Sequence, residues 1–500
     1  MKLDRRWVVI FLAGIVALIS IGSSASVSLS GGCTSIIEGS DSVRGISTPD
    51  GTDITATGSI RAAINAAPPG ATVSLLPKTY NEIVEISKSL DIIGAGESRT
   101  IVDGQQKGSV FTIPSGVTAT LADMTIQNGE AQFGGGINNA GTLTVKDGEI
   151  IGNTASAKGA EWISADGGGI YNTGTATITN CLILKNDAIT SGSLVDAKGG
   201  GIMNTGTTTI TDSEISGNTA SANGGEWISA YGGGIYNKGT ATIIGSSILG
   251  NTASANDGKY LYATGGGIYN GGTSEIKDSI ISANYASCSG GMVTGSMVAN
   301  GGGIYSDDTV IISGSSILGN IASANDGEWL VATGGGIYNG GTAIISGSSI
   351  SGNTAMVSDG NVSEQANGGG IMSFGTELTI TDSIVSGNKA WADYGKYVAQ
   401  AMGGGISSDS RDTFSDSTIS GNEAYAEGAY ASALGGGILS ANWLGSTEIK
   451  GCVISGNIAS AISSVGSASI YGGGIYWNLR PVIDSKTVIT GNSEPQIYPY

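Results

Sequence analysis

Apolar positions along most of this chain fall in short alternating runs and never settle into a 3.6-residue stripe, so strands are predicted and helices are not. The segment from Gly232, GGGIYNKGTATIIGSSILGN, is typical. Gly-Gly-Gly-Ile begins at Gly134, Gly167, Gly199, Gly232, Gly265, Gly301, Gly334, Gly368, Gly403, Gly435 and Gly472, a period of 32 to 37 residues, and in eight of these eleven copies an Asn follows 19 residues after the first glycine. Periods in this range mean stacked supersecondary units. Three apolar columns result. One is the Ile after each triplet; the second lies eleven residues past the first glycine (Val145, Ile178, Ile210, Ile243, Ile276, Ile312, Ile345); the third stands three before the Asn, from Ile150 to Ile489. They predict aliphatic ladders running through a solenoid. The Asn column, Asn153 to Asn492, suits a left-handed turn whose amides donate to the next coil, and the triplet glycines suit a turn of positive φ.

From glycine to Asn the repeat keeps its length, whereas from Asn to the next triplet it runs from 13 to 17 residues. That contrast predicts a rigid coil with a variable loop inserted once per turn. The boundaries read as 1–26 signal peptide or anchor, 27–58 leader, 59–133 cap and first coils, and 134–495 eleven-repeat solenoid, about 14 coils in all. Glycine supplies 85 of 500 residues without a collagen triplet, so one elongated all-β body accounts for the composition.

The GGGIYN, GTATI and SSISGNTA segments resemble right-handed parallel β-helix proteins with polymorphic-outer-membrane-protein-type repeats. Ser59 to Ala67 resembles the capping helix of that group, and TVSLLP, EIVEISKSLDIIGAG and TIVDG resemble its first coils. The resemblance spans about residues 45 to 495. It implies a secreted or cell-surface location and an adhesin-like or envelope structural role, with polysaccharide lyases and hydrolases also found on the fold. The carboxy-terminal barrel of the outer-membrane members has no counterpart here.

The amino-terminal run carries Lys2, Arg5 and Arg6 before an apolar stretch from Trp7 to Ile21 and small residues at Ser24 to Ser26, which reads as a secretory signal or, uncleaved, as a membrane anchor. Its three bases and one acid leave a remainder of formal charge −21 against −19 for the whole chain. Such an acidic surface argues against nucleic acid as a partner. Cys181 and Cys452 stand at the same repeat position eight coils apart, roughly 38 Å at about 4.8 Å per coil, too far for a disulfide.

No histidine occurs in the sequence, which excludes Ser-His triads, His-built zinc sites and His general bases. One coil departs from the pattern with Asp409-Ser-Arg411-Asp412. A Ca²⁺-dependent polysaccharide lyase would place Asp409 and Asp412 as ligands and Arg411 as base there; otherwise the chain needs no cofactor. The inserted segments are more suggestive. Trp162, Trp227, Tyr260 and Trp329 stand five residues before a triplet and Tyr397 six before. Tyr171, Tyr236, Tyr269, Tyr305 and Tyr338 follow the inward Ile, so they are predicted to form an exposed stack. Aromatic rows beside acids can hold sugar rings or a partner's surface. The reading is a non-catalytic surface protein binding an extracellular glycan or protein, with the lyase and a self-assembling coat or sheath subunit as alternatives.

Overall fold

The computed structural model describes residues 53–499, apart from 160, 291–294 and 442–445. The signal or anchor of 1–26, most of the leader and Cys33 lie outside the described residues. Every strand pairing in the remainder is parallel, and the strands stack into sheets of 15, 17, 14 and 14 members. This is a parallel β-helix. Among the described residues no helix is long and apolar enough to cross a membrane.

The coil from Gly232 shows how the sequence dictates the turn. Gly232 takes φ +60°, as the first glycine of each triplet does. The other two glycines answer to space: a Cβ on Gly233 would lie 2.4 Å from the Thr252 carbonyl oxygen, and one on Gly234 would lie 2.8 Å from that of Gly267. Three strands then follow, Ile235–Asn237, Thr240–Ile244 and Ser247–Leu249. Each buries its isoleucine (Ile235, Ile243, Ile248) in one continuous core. The three predicted ladders are present and in register from coil to coil. Each fully buried aliphatic side chain contributes roughly 1.5 to 3 kcal/mol.

The Asn column is buried, and of the two roles expected for it the donation from coil to coil is present while the left-handed conformation is not. The left-handed residue is the one before it (Gly152, Lys185, Gly217, Gly250, Ala283, Gly319), not the Asn itself. The amides form a ladder instead. Asn218 Nδ2 donates to Ile183 O at 2.9 Å and to Asn251 Oδ1 at 2.9 Å, while its own Oδ1 accepts from the backbone N and Nδ2 of Asn186 at 2.9 and 3.0 Å. Both donors and the acceptor of a fully buried amide are thereby satisfied. A second ladder, Asn139, Asn172, Asn204, Asn237 and Asn270, runs parallel to it inside the core.

At the front, the helix Ile60–Ala66 is started by Ser59, whose Oγ accepts from Ala62 N at 3.2 Å, and by Glu82, which accepts from Ile60 N at 2.6 Å. Its Ile60, Ala63 and Ile64 bury into the same core as the first coils.

The inserted segments are not loops. Each runs out and back as strand, continuous in Thr252–Thr264, and stacks on its neighbours as the 17-stranded sheet. The outgoing arm buries an alanine column from Ala155 through Ala188, Ala220 and Ala253 to Ala459, and the returning arm one from Ala165 through Ala197 and Ala230 to Ala433. The two columns form a second core, separate from the aliphatic one. The result is a thin fin along the solenoid, and alanine is the residue that lets its two walls close on each other.

Candidate functional site

The aromatic row predicted from the inserts lies along the fin's outer edge. Leu194, Trp227, Tyr260, Ser296, Trp329, Ser363, Val398 and Tyr430 pair in register through successive coils. Trp162 precedes Ile163, which pairs with Val195, and so stands at the head of the same row. Trp227 and Tyr260 touch, ring centroids 4.6 Å apart, and Tyr262 stacks on Trp227 from the adjoining position at 6.0 Å. Trp162 is 69% exposed, Trp329 50%, Tyr397 60% and Trp227 39%, while Tyr260 is half-buried. With coils about 4.8 Å apart, Tyr260 and Trp329 stand roughly 10 Å from each other.

The residues between them are small or aliphatic, so the rings project from a low edge. Leaving large aromatic surface exposed to water is unfavourable, and a contiguous exposed row of this kind is a candidate contact surface. Tyr394, 65% exposed, and Tyr430, 53%, belong to the same edge. Tyr394 gave no signal in the sequence because it sits at φ +65° in the fin's turn, outside the row's register.

The tyrosines after the triplet do stack, at 4.7, 5.0 and 4.8 Å from Tyr236 through Tyr269 and Tyr305 to Tyr338, with interplanar angles of 4° to 14°. The exposed stack expected from strand alternation is corrected by the fin. Its returning arm ends on this corner, and Tyr231 meets Tyr236 and Tyr269 edge-on at 6.1 and 5.3 Å. Tyr236 is consequently only 3% exposed, and Tyr171, Tyr269, Tyr305 and Tyr338 are half-buried. Desolvation pushes the phenols of all five above their ordinary range. Asp307 adds to the effect by accepting from Tyr305 at 2.6 Å and Tyr269 at 3.2 Å. At Tyr236 and Tyr269 the ladder is a seam between fin and solenoid, and its other rings are only partly open to solvent.

Arg411 and Asp412 of the divergent coil do not converge, while Asp409 lies near enough for its charge to act on Asp412. Arg411 and Asp412 are neighbours on the strand Arg411–Ser415 and point to opposite sides, Arg411 outward and Asp412 inward. Asp412 is 1% exposed and accepts from Ser408 at 2.6 Å, Ser410 at 3.2 Å and Thr447 at 3.0 Å. Burial pushes its carboxyl up to about 6 against the pull of those hydroxyls. It occupies the interior column next to Leu378, where water and substrate have no access. Among the described residues no three His, Cys, Asp or Glu side chains group so as to hold a metal ion.

One buried acid escaped the sequence reading. Glu364 stands in the fin core in the column of Val195, Ile228, Leu261, Met297 and Leu330, fully buried. Its Oε1 accepts from Gly360 N at 2.5 Å, and its Oε2 has no hydrogen-bond partner. Burial pushes this carboxyl up to about 8, with Asp359 and Asp393 adding repulsion.

No protein-family model matches the chain, and no curated protein sequence matches it. Among solved structures it is similar to pectate lyase Pel9A at 15% identity, over 59% of this chain and 72% of that one, with a TM-score of 0.31. It is also similar to the Dettilon tailspike protein at 16% identity, over 72% and 64% of the two chains, with a TM-score of 0.31. The A-module of a mannuronan C-5 epimerase from Azotobacter vinelandii aligns at 14% identity over 86% and 93%, with a TM-score of 0.25. Similarities this low carry no argument about activity.

Proposed function

We propose that this chain is a secreted or cell-surface, adhesin-like protein that holds a glycan along the edge of its fin without transforming it. The observation that carries the reading is the in-register row of Trp162, Trp227, Tyr260 and Trp329 on a rigid edge. Sugar rings present one apolar face and hydroxyls at the rim, and they settle on aromatic faces held at fixed spacing. A repeating polymer lying along the solenoid would meet one ring after another, each contact small and the sum substantial. Nothing in the placement of Asp409, Arg411 and Asp412 favours the lyase, since the last faces the core.

The test is binding of the full chain to a panel of neutral, amino and uronic polysaccharides, measured by affinity electrophoresis, beside a Trp227→Ala/Tyr260→Ala/Trp329→Ala variant of unchanged circular dichroism. Retardation by at least one polymer, weakened about tenfold or more in the variant, is the result expected. Unchanged binding in the variant would remove the aromatic row from the account, and release of reducing ends or unsaturated product would remove the non-catalytic reading.

A further inference from the structure

The charges around the aromatic row narrow the kind of glycan it fits, an inference that rests on the glycan-binding reading above. Three tryptophans of the edge are each preceded by an acid, as Glu161-Trp162, Glu226-Trp227 and Glu328-Trp329. Glu161 and Glu226 are exposed and Glu328 is half-buried. The turns beside them add Asp257, Asp326 and Asp359, all exposed, at φ +57°, +63° and +62°. Left-handed backbone explains why an Asp or Asn stands at such a turn, yet not the choice of the charged one, because Asn tolerates the same conformation. Against these six carboxylates the edge carries Lys158, Lys259 and Lys396.

Two of the fin's own ammonium groups show what its rings accept. Lys259 Nζ lies 5.0 Å from the centroid of Tyr260, and Lys389 Nζ lies 5.4 Å from that of Trp391. Both are within the distance at which a ring's negative face attracts a cation. Where coil neighbours have Lys259-Tyr260, the tryptophan coils have Glu-Trp. An external ammonium brought to this edge would be drawn by the ring faces and by the field of the carboxylates around them.

From this we infer that the row takes a glycan of amino sugars whose amines are free and protonated, in preference to acetylated or neutral polymers of the same backbone. A uronate polymer is disfavoured on the same ground, since its carboxylates would face a chain of charge −19.

The deciding comparison is between a hexamer of glucosamine and a hexamer of N-acetylglucosamine, which share linkage and length and differ in charge. Each is titrated into the full chain in mildly acidic buffer, following tryptophan fluorescence. The expected result is an affinity about tenfold or more higher for the free amine, about 1.4 kcal/mol. That advantage should vanish near 1 M salt, where the screening length falls to about 3 Å. A Glu226→Gln/Glu328→Gln variant should lose the advantage while keeping its affinity for the acetylated hexamer. Equal affinities for the two hexamers would overturn the inference and leave the glycan reading standing. Binding of glucosamine hexamer that persists in a Trp227→Ala/Trp329→Ala variant would overturn it as well, showing attraction by the acidic body at large. If neither hexamer nor any polysaccharide of the wider panel binds, both readings fall together.

Discussion

Glu364 supplies the sharpest quantitative consequence of the fin. In the column where other coils place Leu330 or Leu261, this coil buries a carboxyl with one oxygen unpartnered. A group held at about 8 in the folded state, against an ordinary 4.5, keeps its proton where the unfolded chain has released it. Between those limits the folded fin therefore binds more protons than the opened one, and its stability falls as pH rises. At about 1.36 kcal/mol per pH unit, the cost is nil below pH 4, about 3 kcal/mol at pH 7 and about 5 kcal/mol above pH 8. Replacement by Leu removes the titration but also leaves Gly360 N without its acceptor. That loss is independent of pH, so it shifts the whole curve without tilting it. The informative quantity is the difference between wild type and Glu364→Leu as a function of pH, in which the distant Asp412 cancels and the repulsion between Glu364 and its neighbours Asp359 and Asp393 is counted with Glu364.

Solenoids open region by region, so a global midpoint would blur the effect. Native-state hydrogen exchange of the returning strand Ser363–Asn367 and of the strand Lys389–Met402, which forms both arms of the next coil, corrected for the intrinsic pH dependence of exchange, reads the local opening directly. Relative to the variant, wild-type protection of these amides should drop about three-thousandfold between pH 4 and pH 9. Parallel curves across that interval would mean the carboxyl is ionised and solvated in the folded fin, and the buried-acid reasoning would be wrong.

Two further outcomes follow from the cores. Asn218→Ala removes the acceptor of the Asn186 backbone N–H and of Asn186 Nδ2 and the side-chain donor to the Ile183 carbonyl, at about 1 to 3 kcal/mol for each group left unsatisfied when buried, while Asn251 Oδ1 keeps the backbone N–H of residue 218. Its denaturation midpoint should fall well below that of Asn223→Ala on the half-buried fin, and equal losses would show that the ladder is not what holds the coils. Cys181 and Cys288 are buried, their thiols pushed up to about 11 and about 12 by desolvation. An aromatic disulfide reagent at mildly alkaline pH should leave both untouched until denaturant is added, and rapid labelling of the native chain would contradict their burial.

The solenoid was legible because its signals are redundant: a column of isoleucines in register is repeated until chance is excluded. The edge row was legible for a related reason, since Trp and Tyr at a constant distance before the triplet keep a constant place in the returning strand. The fin itself was misread as loop although its signal was present. Alanine stands two residues after ten of the eleven repeat asparagines and two before nine of the eleven triplets. Alanine is at home in helices, loops and surfaces alike, so its recurrence carries no strand preference until a partner column is known to face it. The error about the tyrosine stack follows from that one. Alternation correctly turned Tyr236 away from the main core, but outward from one core meant inward to the seam with another. Asp412 misled for the opposite reason: a charged residue in a divergent coil looks like surface chemistry, and here a set of hydroxyls on neighbouring strands satisfies it inside.

Two cores rather than one also explain how the fin's edge can vary in sequence while keeping its spacing. The aliphatic ladders fix the rise per coil, and the alanine columns carry that rise outward through the fin, so a residue at the edge inherits its spacing from contacts it does not make. Changes at the edge then alter what is displayed without altering the ruler on which it is displayed. Insert lengths of 13 to 17 residues are compatible with this, because added residues enter at the turn between two arms already paired to their neighbours. Where the arms slip, as between Gly395 and Val398, the register with the next coil is recovered by Val398 and Tyr430. On the glycan-binding proposal, a ligand with a repeat of its own is the partner to which so regular a spacing along the fold matters, whereas a compact globular partner would read only a few neighbouring coils.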